Sequence, residues 1–315
     1  MMYTNPYEGV WHTEGQWLKA NFHVHAVPDG GKLGTFKLGR YSVSSKHVSS
    51  VIAAYKDAGY DVLMIANQGF FLDTHEYATA YDILMVNGIE YVEKDGILCI
   101  GIKEFITGKP QEAIDSCRRQ GGLAVLCHPN WLAEDGTPPK LTHETIYELR
   151  NFVGIEILTA GIFTRFKGSG LATNVWDEYL SAGKLVWGFA NDDFHTWFDI
   201  DRGWNVVFSR KRDFQEMRNA IERGCLYASS GLVLREFSFE GNSLTVGANH
   251  ERSPIEQITY RFIGEGGKTL QESTGATAEY HFKGSEQYVR VCAVSDNGAM
   301  LWTQPIFDAD RLRRP

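Results

Sequence analysis

The chain has 315 residues, enough for one large domain and a smaller one around a substantial buried core. Its formal net charge is −8 with no basic run, which argues against nucleic acid as a partner. No stretch reaches the roughly 18 apolar residues of a membrane span, and residues 1–15 lack the apolar core of a secretory signal. The five cysteines are scattered without a CxxC pair. We therefore expect a cytoplasmic protein whose cysteines are reduced and mostly buried.

Residues up to 231 alternate short β-type runs with amphipathic helical stretches. The predicted strands are 18–25, 62–66, 84–92 continuing near 97–102, 123–128, 154–158, 185–190 and 204–208. The predicted helices are 45–58, 75–81, 110–120, 143–151, 173–182 and 212–223. Strands that alternate with helices of this length are typical of βα units around a parallel sheet. About seven such units indicate a distorted barrel, one unit short of the usual eight.

The pattern of predicted elements changes near Gly231, after which no helical stretch is predicted. Later residues form alternating β-type runs, with glycine and asparagine at the turns. These runs are 234–240, 243–246, 258–263, 278–282, 288–295 and 300–307. We therefore predict an α/β chain in which a distorted (β/α)7 barrel, residues 1–231, is followed by a small antiparallel, sandwich-like β domain, residues 232–315.

One run in the second region superficially resembles a phosphate-binding loop, Gly264-Glu-Gly-Gly-Lys-Thr. That loop needs a glycine five residues before Gly267, where this chain has Phe262, and a helix should follow it. Because β-type sequence follows instead, we interpret the run as a hairpin turn.

The sharpest local feature is the run Asn21-Phe-His-Val-His-Ala-Val-Pro-Asp-Gly-Gly. Side chains alternate along a strand with period two, so His23 and His25 should point to the same face. Both lie at the C-terminal end of the first predicted strand, where parallel barrels place their chemistry. Two imidazoles on one face form half of a site for a divalent transition metal. An incidental pair, with one histidine satisfied in the core, would give the same pattern.

Three later strand ends also carry residues of metal-binding type. Glu90 stands in an apolar strand, where a carboxylate is costly unless it is paired or metal-bound. His128 follows an apolar run and precedes Pro129. Asp193 and His195 follow the strand that ends at 190, and an extended backbone would send both side chains the same way. Each residue alone is also compatible with a cap, a loop histidine or a satisfied strand glutamate, but together they predict a metal site on one rim.

In this order, the motifs resemble those of the PHP (polymerase and histidinol phosphatase) family of metal-dependent phosphoesterases, over most of residues 17–231. The matching segments are His23-Val-His25 with Asp29-Gly30, Gly88-Ile-Glu90, Cys127-His128-Pro129 and Asp192-Asp193-Phe-His195. The run Gly224–Gly231 resembles the joint between barrel and β domain in two-domain members. The resemblance implies a distorted seven-stranded barrel that holds a cluster of divalent metal ions, zinc, manganese or iron.

The chain departs from the family at positions that usually bind metal. Asn67-Gln68 replaces the Asp-His pair that usually follows the second strand, and Ile97 replaces a histidine that often follows the bridging glutamate. By the family's roles, one metal site keeps its full set of ligands: His23, His25, Glu90 and Asp193. A second site keeps Glu90 and His128 but lacks the histidine replaced by Ile97. A third site keeps only His195, because Gln68 replaces its other histidine. The resemblance therefore implies one firm metal and a weaker second one.

The leading hypothesis is hydrolysis of a small, phosphorylated molecule by metal-activated water. His128 and His195 are also candidate proton donors, and Asp29 is a candidate for orienting a histidine or a water. The candidate substrate-binding residues are Arg165, Lys167 and Asn67, with Lys37 and Arg40 as further phosphate partners. The four basic residues are equally compatible with solvated surface charge.

Two alternatives stay open at the level of the sequence. The same metal-activated water could cleave an amide or a carbamate, which nothing in the residues excludes. The substitutions at Asn67, Gln68 and Ile97 are also compatible with a degenerate barrel that binds a ligand but does not catalyse a reaction. The sequence does not specify the substrate or the number of subunits.

Overall fold

The computed structural model describes residues 3–30, 46–91, 96–132, 136, 147–165, 167–250 and 257–315. The helices in these ranges are α1 (Val48–Asp57), α2 (His75–Tyr81), α3 (Pro110–Arg119), α4 (Ile162–Arg165), α5 (Thr173–Ser181) and α6 (Phe214–Arg223). The strands up to residue 231 are β1 (Tyr3–Thr4), β2 (Gln16–Val24), β3 (Val62–Ile65), β4 (Leu84–Tyr91), β5 (Ile97–Ile100), β6 (Leu123–Leu126), β7 (Trp131–Leu132), β8 (Gly154–Thr159), β9 (Lys167–Gly168), β10 (Trp187–Asn191), β11 (Trp204–Ser209) and β12 (Leu226–Ser229). The later strands are β13 (Leu232–Glu240), β14 (Ser243–His250), β15 (Ile258–Gly264), β16 (Lys268–Gly275), β17 (Thr277–His281), β18 (Tyr288–Ser295), β19 (Met300–Thr303) and β20 (Ile306–Asp308).

Some predicted features lie outside the described residues. Lys37 and Arg40, the two further phosphate partners, fall within 31–45. The first four residues of the predicted helix 143–151 also fall within 137–146; of its described residues, 147 and 148 are helical and 149–151 are not. The roles of Lys37 and Arg40 and the start of that helix therefore stay predictions.

A large mixed sheet occupies the first region, with the strand order β12-β11-β2-β3-β4-β5-β6-β8-β10. β2, β3 and β4 are parallel to one another, as are β6, β8 and β10. β5 runs antiparallel to both β4 and β6, and β11 runs antiparallel to β2. The prediction of a parallel sheet is wrong for these two strands. For β5 the reason is the short connection from Tyr91 to Ile97, because a parallel crossover needs a dozen or more residues.

The chain segment that follows β10 returns to the end of β2. Val24 forms a parallel bridge with Phe194. The backbone N–H of Phe194 donates to the carbonyl of His23 at 3.2 Å, and that of His25 donates to the carbonyl of Phe194 at 3.1 Å. This contact brings the C-terminal ends of β2 and β10 side by side, although the two strands are far apart in sequence.

The C-terminal strands form an antiparallel β region, as predicted, but they pair in two groups. β15, β16, β18, β19 and β20 join the large sheet, because β19 pairs with β12. β13, β14 and β17 form a separate three-stranded sheet. β15 and β16 make an antiparallel hairpin around Glu265–Gly267, which confirms the predicted turn. The division between residues 231 and 232 stays a prediction.

A buried ion pair joins α5 to β18. Arg290 donates from Nε to Asp177 Oδ1 at 2.8 Å and from Nη2 to Asp177 Oδ2 at 2.6 Å. The hydroxyl of Tyr288 donates to the same Oδ1 at 3.0 Å, and the guanidinium lies over the ring of Trp176. Arg290 is only 2% exposed. Because a buried charge is costly unless an opposite charge is bonded to it, the two hydrogen bonds of this pair compensate both charges where α5 meets β18.

All five cysteines are buried, which confirms the prediction that they are core residues. Among the parts of the chain that the structure describes, no helix combines the length and the apolar character that crossing a membrane requires.

Candidate metal centre

The candidate site lies where several strands end on the same edge of the large sheet. β2 carries His23 and leads directly into His25, and β4 carries Glu90 near its end. His128 follows β6, and Asp193 follows β10. Because these strands all point the same way, their C-terminal ends meet, and residues distant in sequence become neighbours.

Two buried imidazoles face two carboxylates at the centre of this cluster. His23 Nε2 lies 3.4 Å from Glu90 Oε2 and 3.3 Å from Asp193 Oδ1. His25 Nε2 lies 3.4 Å from the same Glu90 oxygen and 3.2 Å from the same Asp193 oxygen. Neither of these two Nε2 atoms makes a hydrogen bond to any part of the chain that the structure describes. Buried polar atoms are normally satisfied, so these four converging atoms fit a divalent cation.

The electrostatics of the cluster favour positive charge. Burial acts to lower the pKa of His23, but the carboxylates of Glu156, Asp193 and Glu90 outweigh it and hold that pKa well above its usual value. Burial acts to raise the pKa of Glu90 and Asp193, but the charge of His23 outweighs it and lowers both. The cluster therefore stabilises a proton or a cation between its carboxylates.

Glu156, on β8, supports His23 from the side opposite the cluster. Its Oε1 lies 2.9 Å from His23 Nδ1 and accepts from Asn191 Nδ2 at 2.8 Å. Its Oε2 accepts from Thr159 Oγ1 at 2.8 Å and from the backbone N–H of His128 at 3.0 Å. A carboxylate on the far ring nitrogen of a histidine fixes the tautomer and directs the other nitrogen to the metal.

Glu156 is a site residue that the sequence reasoning missed. It stands in Gly154-Ile-Glu-Ile-Leu, and it is fully buried. The signal that singled out Glu90, a carboxylate inside an apolar strand, applies equally here.

We expect Glu156→Gln to weaken metal binding by about 10- to 100-fold without unfolding the protein. Glutamine keeps the shape of the side chain but loses the negative charge that holds the proton on His23 Nδ1. Competition with a chromogenic chelator would measure the affinity, with Glu240→Gln, an exposed position on β13, as the matched control. Equal affinity in wild type and Glu156→Gln would mean that this carboxylate does not orient His23.

The second oxygen of Glu90 faces His128. His128 Nε2 lies 3.1 Å from Glu90 Oε1, and these two residues form a group with His23 whose ligand atoms lie within 4.8 Å of one another. The backbone of His128 has a φ of 33°, a left-handed conformation that is unusual outside glycine and often marks functional sites. Burial acts to lower the pKa of His128, but its hydrogen bond with Glu90 raises it overall.

Two positions at which the resemblance implied metal ligands carry side chains with other contacts. Gln68 donates from Nε2 to Glu90 Oε2 at 2.6 Å, so its amide steadies the carboxylate. Ile97 begins β5 and is fully buried as an apolar core residue. The Gln68 side chain therefore supports the Glu90 carboxylate, and the Ile97 side chain fills the core.

Asp193 and His195 meet through a turn. Asp193 has a φ of 51°, so the extended backbone that the sequence analysis assumed for this pair is wrong. The side chains still meet, because His195 Nδ1 lies 3.0 Å from the Asp193 carbonyl and 3.5 Å from Asp193 Oδ1. Burial lowers the pKa of His195 to about 4, so its imidazole is neutral at pH 7, the form that binds metals.

Arg165 covers the outer side of Asp193. Its Nη2 donates to the Asp193 carbonyl at 2.6 Å and to Asp193 Oδ2 at 3.2 Å, and its Nη1 pairs with Asp199. It fits beside Gly161, where a Cβ would lie 2.3 Å from Nη2. With Oδ2 held by the guanidinium, Oδ1 is the Asp193 oxygen that faces the two histidines.

The remaining candidate site residues are Asn67, Asp29 and Lys167. Asn67 is 1% exposed; its Oδ1 accepts from the Ala26 N–H at 3.0 Å, and its Nδ2 donates to the Ala26 carbonyl at 2.7 Å. Asp29 is exposed and accepts from the Ser49 hydroxyl at 2.8 Å, in the first turn of α1. Lys167 is exposed on the short strand β9. Their predicted roles in substrate binding and in orienting a histidine or water stay predictions.

Comparison with known proteins provides independent information on the fold. No family model matches the chain. Over 118 residues, or 36% of its length, the chain is 25% identical to an uncharacterized protein of Methanocaldococcus jannaschii, of which it covers 68%. It is also similar to the crystal structure of a two-domain protein from Bacteroides vulgatus that contains a predicted PHP-like metal-dependent phosphoesterase. That similarity covers 93% of this chain and 96% of the other, with a TM-score of 0.50 and 13% sequence identity. The chain therefore shares the fold of that two-domain protein, which agrees with the resemblance of its ordered motifs.

Proposed function

We propose that this chain is a metal-dependent phosphoesterase that hydrolyses a small phosphate ester. The observation that carries the proposal is the pair of buried imidazole nitrogens, on His23 and His25, that face Glu90 and Asp193 at 3.2 to 3.4 Å. The description of the structurally similar protein as a predicted PHP-like metal-dependent phosphoesterase supports the general class. The same proposal treats the large sheet as the distorted (β/α)7 barrel, which the return of Phe194 onto Val24 supports.

A zinc, manganese or iron ion would be held by His23, His25, Glu90 and Asp193. When bound, such an ion supplies Lewis acidity toward a phosphoryl oxygen and a nucleophilic water at neutral pH. The chain's own contribution is to hold these four ligands in place. Glu156 sets the tautomer of His23, and the guanidinium beside Asp193 restrains that carboxylate.

In this proposal, His195 and His128, at the edge of the cluster, transfer protons. His195 directs Nδ1 to the Asp193 carbonyl, which leaves the Nε2 lone pair available to accept a proton from the attacking water. His128 binds the far oxygen of Glu90. It would serve as a ligand of a second cation or, without that cation, donate a proton to the leaving-group oxygen.

The proposed substrate contacts follow from position. Arg165 borders Asp193 and is the cation best placed to meet a phosphate oxygen, while Lys167 is exposed close by in the sequence. Asn67 and Asp29 brace the two segments that follow β3 and β2, so in this proposal they shape the rim of the site.

A substrate panel tests the proposed reaction. Protein purified with added zinc, manganese or iron would be assayed against phosphate monoesters, phosphate diesters, amides and carbamates. We expect turnover of at least one phosphate ester, lost after chelation and restored by the metal. Turnover of amides or carbamates alone would assign the other hydrolase class. Metal-loaded protein without turnover of any substrate would favour a binding protein.

A further inference from the structure

The thiol of Cys127, the residue before His128, lies against the Glu90 carboxylate. Its S–H donates to Glu90 Oε1 at 3.9 Å, and the residue is 6% exposed. Cys127 also forms a group with His23 and Glu156 in which one ligand atom from each lies within 4.8 Å of the others. Thiolate, imidazole and carboxylate at such spacing are the ligand types of zinc sites.

The two oxygens of Glu90 face two different sets of ligands. Oε2 lies 3.4 Å from both His23 Nε2 and His25 Nε2. Oε1 lies 3.1 Å from His128 Nε2 and 3.9 Å from Cys127 Sγ. The carboxylate is therefore placed to bridge a first cation on the side of His23 and His25 and a second one on the side of His128 and Cys127.

A ligand group that does not include the thiol also lies at this position: His23, Glu90 and His128 each offer one ligand atom within 4.8 Å of the others. His23 is fully buried, and its Nε2 makes no hydrogen bond to the described residues. That nitrogen faces Glu90, and His23 belongs to the ligand group of Glu90 and His128 as well as to that of Cys127. A buried nitrogen without a hydrogen bond is costly in a folded protein, and the first cation would remove that cost, while Glu90 Oε1 and His128 Nε2 face the position of the second.

The neighbouring strand leaves room for the thiol. The Gly96 carbonyl accepts the backbone N–H of Cys127 at 2.8 Å, so the two residues are directly opposed. A Cβ on Gly96 would lie 2.7 Å from Cys127 Sγ and 2.8 Å from His128 Cε1. The next residue, Ile97, offers no ligand atom where a histidine was expected. A third protein ligand for a second cation must come from another residue, and Cys127 borders the correct oxygen of Glu90.

We propose that Cys127 is a thiolate ligand of a second divalent cation, which it holds together with Glu90 and His128. This inference rests on the proposed metal centre. On binding, the S–H bond breaks, the sulfur lone pair forms the bond to the cation, and the proton leaves to solvent, so no oxidant is required. A sulfur ligand selects a borderline-soft ion such as zinc over manganese or magnesium.

Titration with cobalt(II) tests this assignment without relying on activity. Cobalt occupies zinc-type sites, where its visible bands report any bound ion and a near-ultraviolet charge-transfer band reports a thiolate ligand. In metal-free wild type we expect visible bands from the first equivalent and the thiolate band with the second. Cys127→Ala should lose the thiolate band and bind the second equivalent about tenfold more weakly or worse.

Two further variants control for folding and for the other thiols. Cys117→Ala, a fully buried cysteine on α3, should keep both sets of bands. Cys127→Ser keeps nearly the same volume and should also lose the thiolate band, with an unchanged circular dichroism spectrum. A thiolate band that persists in Cys127→Ala, or that saturates with the first equivalent, would overturn the assignment. Visible bands without any thiolate band in wild type would disprove the role of Cys127 as a ligand but not the first metal site. If no cobalt binds, both proposals are wrong.

Discussion

His23→Ala is expected to abolish metal binding and to lower kcat/KM by about 10³-fold or more. His23 is the residue on which Glu90, Asp193 and Glu156 converge, at 3.4, 3.3 and 2.9 Å. A metal contributes several kcal/mol to transition-state stabilisation; at about 1.4 kcal/mol for each factor of ten, roughly 4 kcal/mol corresponds to about 10³-fold. Elemental analysis of protein purified with added metal would measure the content, alongside steady-state kinetics on the best ester of the panel.

The matched control is His281→Ala, since the side chain of His281 is 76% exposed on β17. That variant should retain full metal content and activity. Because His23→Ala leaves buried carboxylates without their partner, its fold would be checked by circular dichroism, and His25→Ala would serve as a second variant. A folded His23→Ala that retains a full equivalent of metal would show that the cation binds elsewhere.

Arg290→Met is expected to lower the free energy of unfolding by about 3 to 5 kcal/mol. The change leaves the Asp177 carboxylate at the buried contact between α5 and β18 without its guanidinium, and the hydroxyl of Tyr288 alone cannot compensate the charge. A buried carboxylate that has lost its cation costs far more than an exposed one. Urea denaturation followed by circular dichroism and fluorescence would measure the change.

Arg261→Met provides the matched control for this pair. Arg261 also binds a carboxylate from a C-terminal strand, at 2.7 Å from Glu272, but its side chain is 45% exposed. Breaking such a pair should change stability by only about 0 to 1 kcal/mol. Combining Arg290→Met with Asp177→Asn removes the unpaired charge and should restore part of the lost stability. Equal losses in Arg290→Met and Arg261→Met would contradict the role assigned to burial.

Two predicted elements have the same limits in the structure. The limits of α2 and β18 agree with the predicted runs 75–81 and 288–295. β16 was missed, because its side chains are mostly exposed and show little apolar alternation. The predicted run 300–307 is two strands, β19 and β20; both pair with β18, but β19 also pairs with β12 and β20 with β1.

The sequence predicted which residues form the candidate site, but only some of the contacts between them. His23 and His25 could be placed on one face, because strand periodicity is a local property. Glu156 shows the same local signal as Glu90, yet its contact with His23 Nδ1 depends on β8 and β2 facing each other across the sheet. The role of Gln68 as a donor to Glu90 is likewise invisible in the sequence, since it depends on which way one amide points.

The sequence by itself determined the order of the strand ends, the residue types that they carry and the resemblance to a two-domain PHP-like protein. These properties follow from hydrophobic periodicity and from motifs confined to a few neighbouring residues. Only the tertiary structure decided that the left-handed backbone at Asp193 brings this residue to His195, and that Cys127 borders Glu90. Each of these depends on long-range pairing or on a single backbone dihedral angle, and neither is encoded in a local pattern of side chains.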